Sequence, residues 1–407
     1  MKKPTFSIAD PLLHPSKEFL ANPYATFAKM RAEAPVLWSD KGKYWLVSRY
    51  DDVNAVLRDL HYEKGFNRWK TFDPILKLFP HLAEQLNFRG KSMLNQNPPD
   101  HTRLRSLVNK AFTPAMVNDM RQHIQEIADG LLDAVADKGQ MDLIADFAFV
   151  LPVTVIAEML GIPPADRDKF KDWSHGLTEA LEPSAAAPKL LHAAQCNKEL
   201  TAYLKPLVEE RRKSPKDDLI SALVQAEEEG SKLSELELMA NLVLLLVAGH
   251  ETTVNLIGNS MLALMRHQDQ FNMLKAQPDL MDSAIDEFLR FDSPVQMIRR
   301  NAGSALQLGG QQIAEDDTVI LLPGSANHDP AQFESPETLD ITRKNNKYLS
   351  FGSGIHHCLG SSLARAEGKI ALTTLMQRLP NIKLRSNDLE YRLPFALRGV
   401  KALPVTF

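Results

Sequence analysis

The feature that most constrains the fold of this chain is a long apolar helical pattern near the middle of the sequence. The pattern covers residues 234–267, and Ser234 with Glu237 forms a capping-box arrangement at its start. Between residues 242 and 258, apolar side chains continue almost all round the predicted helix. A helix without a polar face has to be surrounded by other elements. We therefore expect it to run through the core.

Most of the remaining chain also has helical periodicity, and no repeat, low-complexity tract or flexible linker divides it. The pair Gly309-Gly310 predicts a hairpin turn between two of the predicted strands. We predict one domain over residues 1–407, mainly α with a small β part (α+β). The predicted helices are 24–34, 50–60, 101–111, 114–138, 147–160, 191–213, 234–267, 270–276, 280–291 and 358–379, and the predicted strands are 36–38, 44–48, 305–310 and 319–322.

Charge and cysteine content narrow the functional classes. The net charge is -4, from 47 basic and 51 acidic residues, which argues against nucleic acid as the main partner. The N-terminus has no sustained apolar stretch, so we expect neither a signal peptide nor a membrane anchor. The two cysteines, Cys196 and Cys358, predict no disulfide framework and suit a reducing cytosol. We predict a cytoplasmic protein.

The most informative segment for function is FGSGIHHCLGSSLARAE, residues 351–367. Cys358 stands at the start of a predicted helix, where the helix dipole and free backbone N–H groups stabilise a thiolate. Gly352 and Gly354 would let the backbone bend tightly toward a flat cofactor. These features suit a sulfur ligand that is held against a porphyrin face.

Simpler interpretations fit the same residues. A lone cysteine is usually a small buried hydrophobe, and a glycine-rich turn before a helix is often only a turn. A phosphate-binding loop is excluded, because no Lys-Ser/Thr pair follows the glycines. A zinc site at His356, His357 and Cys358 is disfavoured, because adjacent residues seldom converge on one metal. From these residues alone, a cofactor site and a structural turn stay equally open.

The segment resembles the heme-binding signature of the cytochrome P-450 superfamily, Phe-Gly-x-Gly-x-His-x-Cys-x-Gly followed by Leu-Ala-Arg-x-Glu. The resemblance covers essentially the whole chain. It implies the cytochrome P-450 fold, with heme b (iron protoporphyrin IX) between the long central helix and the cysteine-loop helix, and Cys358 as the axial thiolate ligand of the iron. The matching residues are Phe351, Gly352, Gly354, His356, Cys358, Gly360, Leu363, Ala364, Arg365 and Glu367.

Two further motifs of the family follow in order. Glu287 and Arg290 lie three residues apart on one helical face and alone would be read as a surface pair. The resemblance implies a buried network that Arg343 closes, and a third partner makes sense because a buried ion pair has to be satisfied. In the central helix, Thr252 could simply bond its own backbone. The resemblance implies instead that Glu251 and Thr252 form the acid–alcohol pair that supplies protons for oxygen activation.

Four side chains match the family's ligands of the heme propionates. His101 and Arg105 lie four residues apart on one face of a predicted helix, and Arg300 and His356 complete the set. Arg300 is preferred to Arg299 because the family's Arg-x-Ala motif begins there. Outside the family, each would be an ordinary surface charge.

The resemblance implies a monooxygenase that uses dioxygen to hydroxylate or epoxidise a small lipophilic substrate such as a terpenoid, steroid, fatty acid or macrocycle. A thiolate ligand favours O–O cleavage. Because the chain has no flavin or iron–sulfur motif, electrons would come from a ferredoxin or flavodoxin with its NAD(P)H-dependent reductase. By analogy, the substrate pocket includes Trp69, Phe72, Leu94, Leu244, Ala248, Val295 and Phe395. The candidate docking residues for the redox partner are Arg103, Lys110, Lys344, Lys347, Arg365 and Lys369.

Two other functions compete with this reading. A peroxide-using relative tends to lose the acid–alcohol pair, which is intact here. A non-catalytic heme carrier or sensor would need neither that pair nor an electron supply. The intact Glu251-Thr252 motif therefore favours the monooxygenase.

Overall fold

The structure is a computed structural model that describes residues 10–65, 73–163, 166–181, 185–228 and 230–407. Helices are its main elements. They are α1 (Lys17–Ala21), α2 (Tyr24–Glu33), α3 (Tyr50–Arg58), α4 (Asp73–Leu78), α5 (His81–Gly90), α6 (Asp100–Ala111), α7 (Pro114–Asp133), α8 (Val150–Met159), α9 (Arg167–Glu179), α10 (Ala187–Lys213), α11 (Leu219–Gln225), α12 (Glu235–Arg266), α13 (Gln268–Ala276), α14 (Met281–Phe291), α15 (Pro323–Ala326) and α16 (Ser361–Arg378).

Short strands form the minor β part. They are β1 (Val36–Ser39), β2 (Tyr44–Val47), β3 (Tyr62–Glu63), β4 (Gln140–Asp142), β5 (Glu227–Glu228), β6 (Ser231–Lys232), β7 (Ile298–Ala302), β8 (Leu306–Leu308), β9 (Gln311–Ile313), β10 (Thr318–Leu321), β11 (Lys383–Leu384) and β12 (Pro404–Thr406). The largest sheet has the order β1-β2-β10-β7-β3, in which only the β2–β10 pair is parallel. A second sheet has the order β11-β12-β4.

Helix α12 is the central element of the fold. The capping box at its start is formed: the Ser234 N–H donates to Glu237 Oε2 (2.8 Å), and the Glu237 N–H donates to Ser234 Oγ (3.4 Å). The helix packs against α8, α14 and α16. It is long and apolar enough to cross a membrane by composition, but 72% of its most apolar window is buried inside the protein. This burial is what the pattern of a core helix predicts.

The cysteine loop (residues 351–360) passes close to α3 and leads into α16, and glycine fixes its path. Gly354 has a φ of 69°, in the left-handed region. A Cβ atom at this position would come within 2.6 Å of the Leu57 carbonyl oxygen at the end of α3. The loop can therefore pass α3 at this distance only without a side chain.

The predicted mainly α fold with a small β part is confirmed, and every predicted element overlaps an observed one. The Gly309-Gly310 turn joins β8 to β9, and the two glycines have φ of 52° and 77°. The strand predicted at 319–322 is instead β10, which pairs in the large sheet. The prediction missed β9, because Gln311-Gln312 gives no apolar alternation over three residues. Other observed elements were not predicted either, among them α5, α9, α11 and β7, the strand that carries Arg300.

A buried ion-pair network joins α14 to the segment that precedes the cysteine loop. Glu287 and Arg290 are fully buried and form a bidentate pair, with distances of 2.8 and 2.7 Å. Arg343 Nε donates to the same carboxylate (3.0 Å), as do the Asp340 N–H (2.9 Å) and Asn346 Nδ2 (3.0 Å). Arg290 Nη1 and Nη2 also donate to the carbonyl groups of residues 327, 336 and 338. The Glu287 carboxylate thus links α14 to the segment 340–346.

We predict that Glu287→Gln lowers the free energy of unfolding by about 3–5 kcal/mol, because it leaves the buried Arg290 without its counter-charge. Chemical denaturation measures this loss. The matched control is Asp282→Asn, which breaks an ion pair between Lys369 and a largely exposed carboxylate (77% exposed) and should change stability by less than about 1 kcal/mol. Equal losses in the two variants would contradict the proposed role of the network.

Candidate active site

A cavity of about 410 Å³ lies beside α12 and reaches down to the cysteine loop. Ala248 and Thr252 form its wall on α12, and Ile298 and Arg300 line it from β7. Helix α6 and the segments 350–360 and 396–397 complete the enclosure. The size and mixed lining are those of a site for a cofactor or a drug-sized ligand.

Cys358 lines this cavity, three residues before α16 begins. Its N–H donates to the Phe351 carbonyl oxygen (2.9 Å), so the loop closes on itself around the cysteine. Burial raises the pKa of the Cys358 thiol, whereas the backbone N–H of Gly360 and the charge of Arg105 oppose that rise. The sulfur has donors that stabilise a thiolate, and a bound cation above it would complete that stabilisation.

Positive and basic side chains gather at one edge of the cavity. His101 and His356 lie with ring centroids 4.2 Å apart, and Arg105, Arg300 and Lys64 line the same edge. Burial, together with the neighbouring cations, lowers the pKa of His356 to about 2. Burial lowers the pKa of Arg300 to about 10. Each shift shows that the charged form of the group lacks compensation.

No aspartate or glutamate lines the cavity among the residues that the structure describes. A buried group of cations without an internal counter-charge requires an anion. A flat cofactor that carries carboxylates would supply it, with its metal above Cys358. The residues present therefore fit an iron porphyrin with two propionates.

Thr252 and Glu251 point to different sides of α12. The Thr252 hydroxyl lies at the cavity and donates to the Ala248 carbonyl oxygen (3.0 Å). The Glu251 side chain is buried outside the cavity lining, where Oε2 accepts from Arg392 Nη1 (3.1 Å) and Oε1 is 3.8 Å from His250 Nε2. Consecutive helical residues project about 100° apart, and here Thr252 lines the cavity while Glu251 does not. The two predicted partners make no direct contact here.

Four of the predicted pocket residues, Leu94, Leu244, Ala248 and Val295, line the cavity. Phe395 is not among the residues that line this cavity. Its ring packs against Phe19 and Phe27, with centroid distances of 4.9 and 6.1 Å. The next two residues, Ala396 and Leu397, line the cavity instead. Trp69 and Phe72, also predicted, lie outside the described residues.

The arginines of β7 both line the cavity, and Arg300, the preferred ligand, is the more buried of the two, at 2% exposed. Two further cations, Lys64 and Arg89, line the cavity and were missed. Neither belongs to a motif, and no pattern in the sequence separates them from surface residues. Lys64 is brought to the site by contacts with residues that are far away in sequence.

The docking patch predicted for a redox partner is largely neutralised by acidic neighbours. Arg103 pairs with Glu237, Arg365 with Asp286 (2.5 Å), and Lys369 with Asp282 (2.8 Å). Lys110 donates to a backbone carbonyl (3.0 Å). Lys344 and Lys347 are exposed and form no ion pair with the described residues, so they carry most of the positive charge that remains.

Known proteins similar to this chain belong to one family. A family model described as Cytochrome P450 matches residues 17–380. A protein of Bacillus subtilis (strain 168), named Cytochrome P450, is 44% identical over 387 residues, which cover 94% of this chain and 93% of the relative. The solved structure of P450BioI in complex with hexadec-9Z-enoic acid ligated acyl carrier protein has a TM-score of 0.87 and 39% identity, and the match covers 96% of this chain and 100% of that one. The structure of myxobacterial CYP267B1 in complex with myristic acid has a TM-score of 0.89 and 41% identity, over 98% and 99% of the two chains.

Proposed function

This chain belongs to the cytochrome P450 family of monooxygenases, and from that premise we propose that it hydroxylates or epoxidises a small lipophilic substrate with dioxygen and externally supplied electrons. The observation that carries the proposal is the position of Cys358 below a cavity whose edge is lined with cations that lack a counter-charge. A structural turn around a buried cysteine would need neither the cavity nor those cations.

Cys358 would hold the heme iron as its axial ligand, and His101, Arg105, Arg300 and His356 would hold the propionates. When bound, a thiolate-ligated heme supplies the oxygen-activating chemistry. The chain orients the substrate and excludes water from the reacting region. The two histidines would donate ring N–H hydrogen bonds to the propionates.

Proton supply would run through α12. The Thr252 hydroxyl holds a proton at Oγ1 on the cavity side, and its lone pairs remain open to a water donor. Glu251 would take up protons from the side of Arg392, whose side chain is 21% exposed and therefore reaches solvent. A rotation of the Glu251 side chain away from Arg392 would bring its carboxyl group toward Thr252. We infer that this ion pair sets the resting position of the acid.

The substrate would be lipophilic, because leucine, valine, isoleucine, methionine and alanine dominate the cavity wall above Cys358. Two relatives with known structures hold fatty acyl chains, one of them attached to an acyl carrier protein. A medium or long acyl chain is therefore the first ligand to test. We place the reaction in the cytoplasm, with a ferredoxin or flavodoxin and its reductase as the electron source.

The absorption spectrum of the protein, reduced with dithionite and exposed to carbon monoxide, tests the proposed function. We expect a Soret band shifted far to the red, as a thiolate-ligated heme gives, and we expect Cys358→His to lose that shift while the variant retains heme. A wild-type band at the position of histidine-ligated heme would contradict the role of Cys358. No heme band after heme supplementation would overturn the proposed function itself.

We predict that Glu251→Gln lowers kcat by about 100-fold or more, the usual size of a lost general acid. Substrate binding, measured by spectral titration with myristic acid, should stay within about twofold of wild type. Glu235→Gln, an exposed change at the start of the same helix, is the matched control and should leave kcat unchanged. A normal kcat in Glu251→Gln would exclude this carboxyl group from proton supply.

Charge reversal at Lys344 and Lys347 should slow reduction by an acidic ferredoxin by about tenfold at low salt, because steering depends on the surface charge. Reduction by dithionite should not change. Lys213→Glu with Lys383→Glu, at exposed positions on α10 and β11, is a control that makes the same change in net charge. If the variant at Lys344 and Lys347 is reduced as fast as this control, the ferredoxin docks elsewhere.

A further inference from the structure

Lys64 lies within the group of cations at the cavity edge, although no motif includes it. Lys64 lines the cavity and is only partly exposed. Burial, followed by the charges of Arg300 and Arg299, lowers the pKa of Lys64 well below its usual value. The side chain has no carboxylate partner among the described residues. A lysine in this position needs an anion from outside the chain.

One side of the Lys64 backbone is fixed to the start of α6. Its N–H donates to Asn97 Oδ1 (2.8 Å), and Asn97 Nδ2 donates back to the Lys64 carbonyl oxygen (3.0 Å). Asn97 lies three residues before α6, the helix that carries His101 and Arg105. This pair of hydrogen bonds sets the distance between Lys64 and those two side chains.

The other side is fixed to β7. Asn301 Nδ2 donates to the Gly65 carbonyl oxygen (3.2 Å), and Asn301 Oδ1 accepts from Thr318 Oγ1 (3.2 Å), which holds the amide in place. Asn301 is the neighbour of Arg300 in β7 and also pairs with Glu63 in β3. Two asparagines therefore hold residues 64–65 between the two elements that carry the other cations.

We propose that Lys64 is a further cationic ligand of the carboxylates of the cofactor, and that Asn97 and Asn301 are positioning residues that fix its backbone between α6 and β7. The inference rests on the proposed heme-dependent function. With Lys64, three cationic side chains, the others being Arg105 and Arg300, would face two propionates.

The cofactor, rather than the acid group of a substrate, is the ligand because the cations share one location. Lys64, Arg105 and Arg300 line the same cavity as His356, whose ring lies 4.2 Å from that of His101, centroid to centroid. His356 lies two residues before Cys358, on the cofactor side of the cavity. An acyl chain packed against Leu244 and Val295 would occupy the wall above.

The test measures the transfer of heme from the purified holoenzyme to excess apomyoglobin and the thermal unfolding of the heme-free protein. In Lys64→Met, heme release should be about tenfold faster, as expected for the loss of one charge-assisted hydrogen bond. The heme-free variant should unfold at a higher temperature than heme-free wild type, because a buried cation without a partner is gone. Lys64→Gln gives a second, polar replacement if Lys64→Met does not fold.

Lys91→Met, at an exposed site directly after α5, is the matched control. It should change neither the rate of heme release nor the unfolding temperature of the heme-free protein. Asn97→Ala should speed heme release without raising the unfolding temperature of the heme-free protein. This variant keeps the charge of Lys64 but no longer holds its backbone in place. Unchanged heme release in both Lys64 variants, beside a normal red-shifted Soret band in wild type, would overturn this inference and leave the proposed function intact. A weaker affinity for myristic acid with unchanged heme release would also overturn it, since Lys64 would then contact the substrate.

Discussion

One buried carboxylate, that of Glu287, holds in place the chain segment that leads into the cysteine loop. It receives hydrogen bonds from two arginines, a backbone N–H and an asparagine side chain, so its charge is fully compensated in the interior. Arg290 in turn holds three carbonyl groups of the segment that leads to the loop. The geometry around Cys358 therefore depends on an electrostatic contact that lies outside the cavity.

The central helix separates two kinds of environment. On one side, Ala248 and Thr252 face a mostly apolar cavity, and on the other, Glu251 meets Arg392 at the edge of solvent. A charged acid next to bound substrate would raise the energy of the site, and an acid without access to water could not be recharged with protons. Adjacent residues on one helix meet both requirements, because the helix turns their side chains apart.

Much of the fold and part of the site could be predicted from the sequence. The core position of α12 follows from its apolar circumference, and the residues around Cys358 and at Glu287-Arg290 lie in contiguous motifs. The partner of Glu251 could not be found in this way, because Arg392 is 141 residues away and belongs to no pattern. The sequence also does not reveal that Phe395 packs against Phe19 and Phe27, which belong to distant elements. Lys64 depends on two asparagines in other elements, which periodicity does not reveal.

The close passage of Gly354 by the Leu57 carbonyl has a consequence for recombination between relatives. A Cβ atom at Gly354 would lie 2.6 Å from the Leu57 carbonyl oxygen. The cysteine loop and the end of α3 therefore cannot shift independently. A chimaera with a crossover between them joins halves that were shaped separately, and a small mismatch there would tilt the loop that bears the sulfur. Exchanging residues 50–58 and 351–360 as one unit keeps this fit. The two segments are distant in the gene, but they form one structural unit.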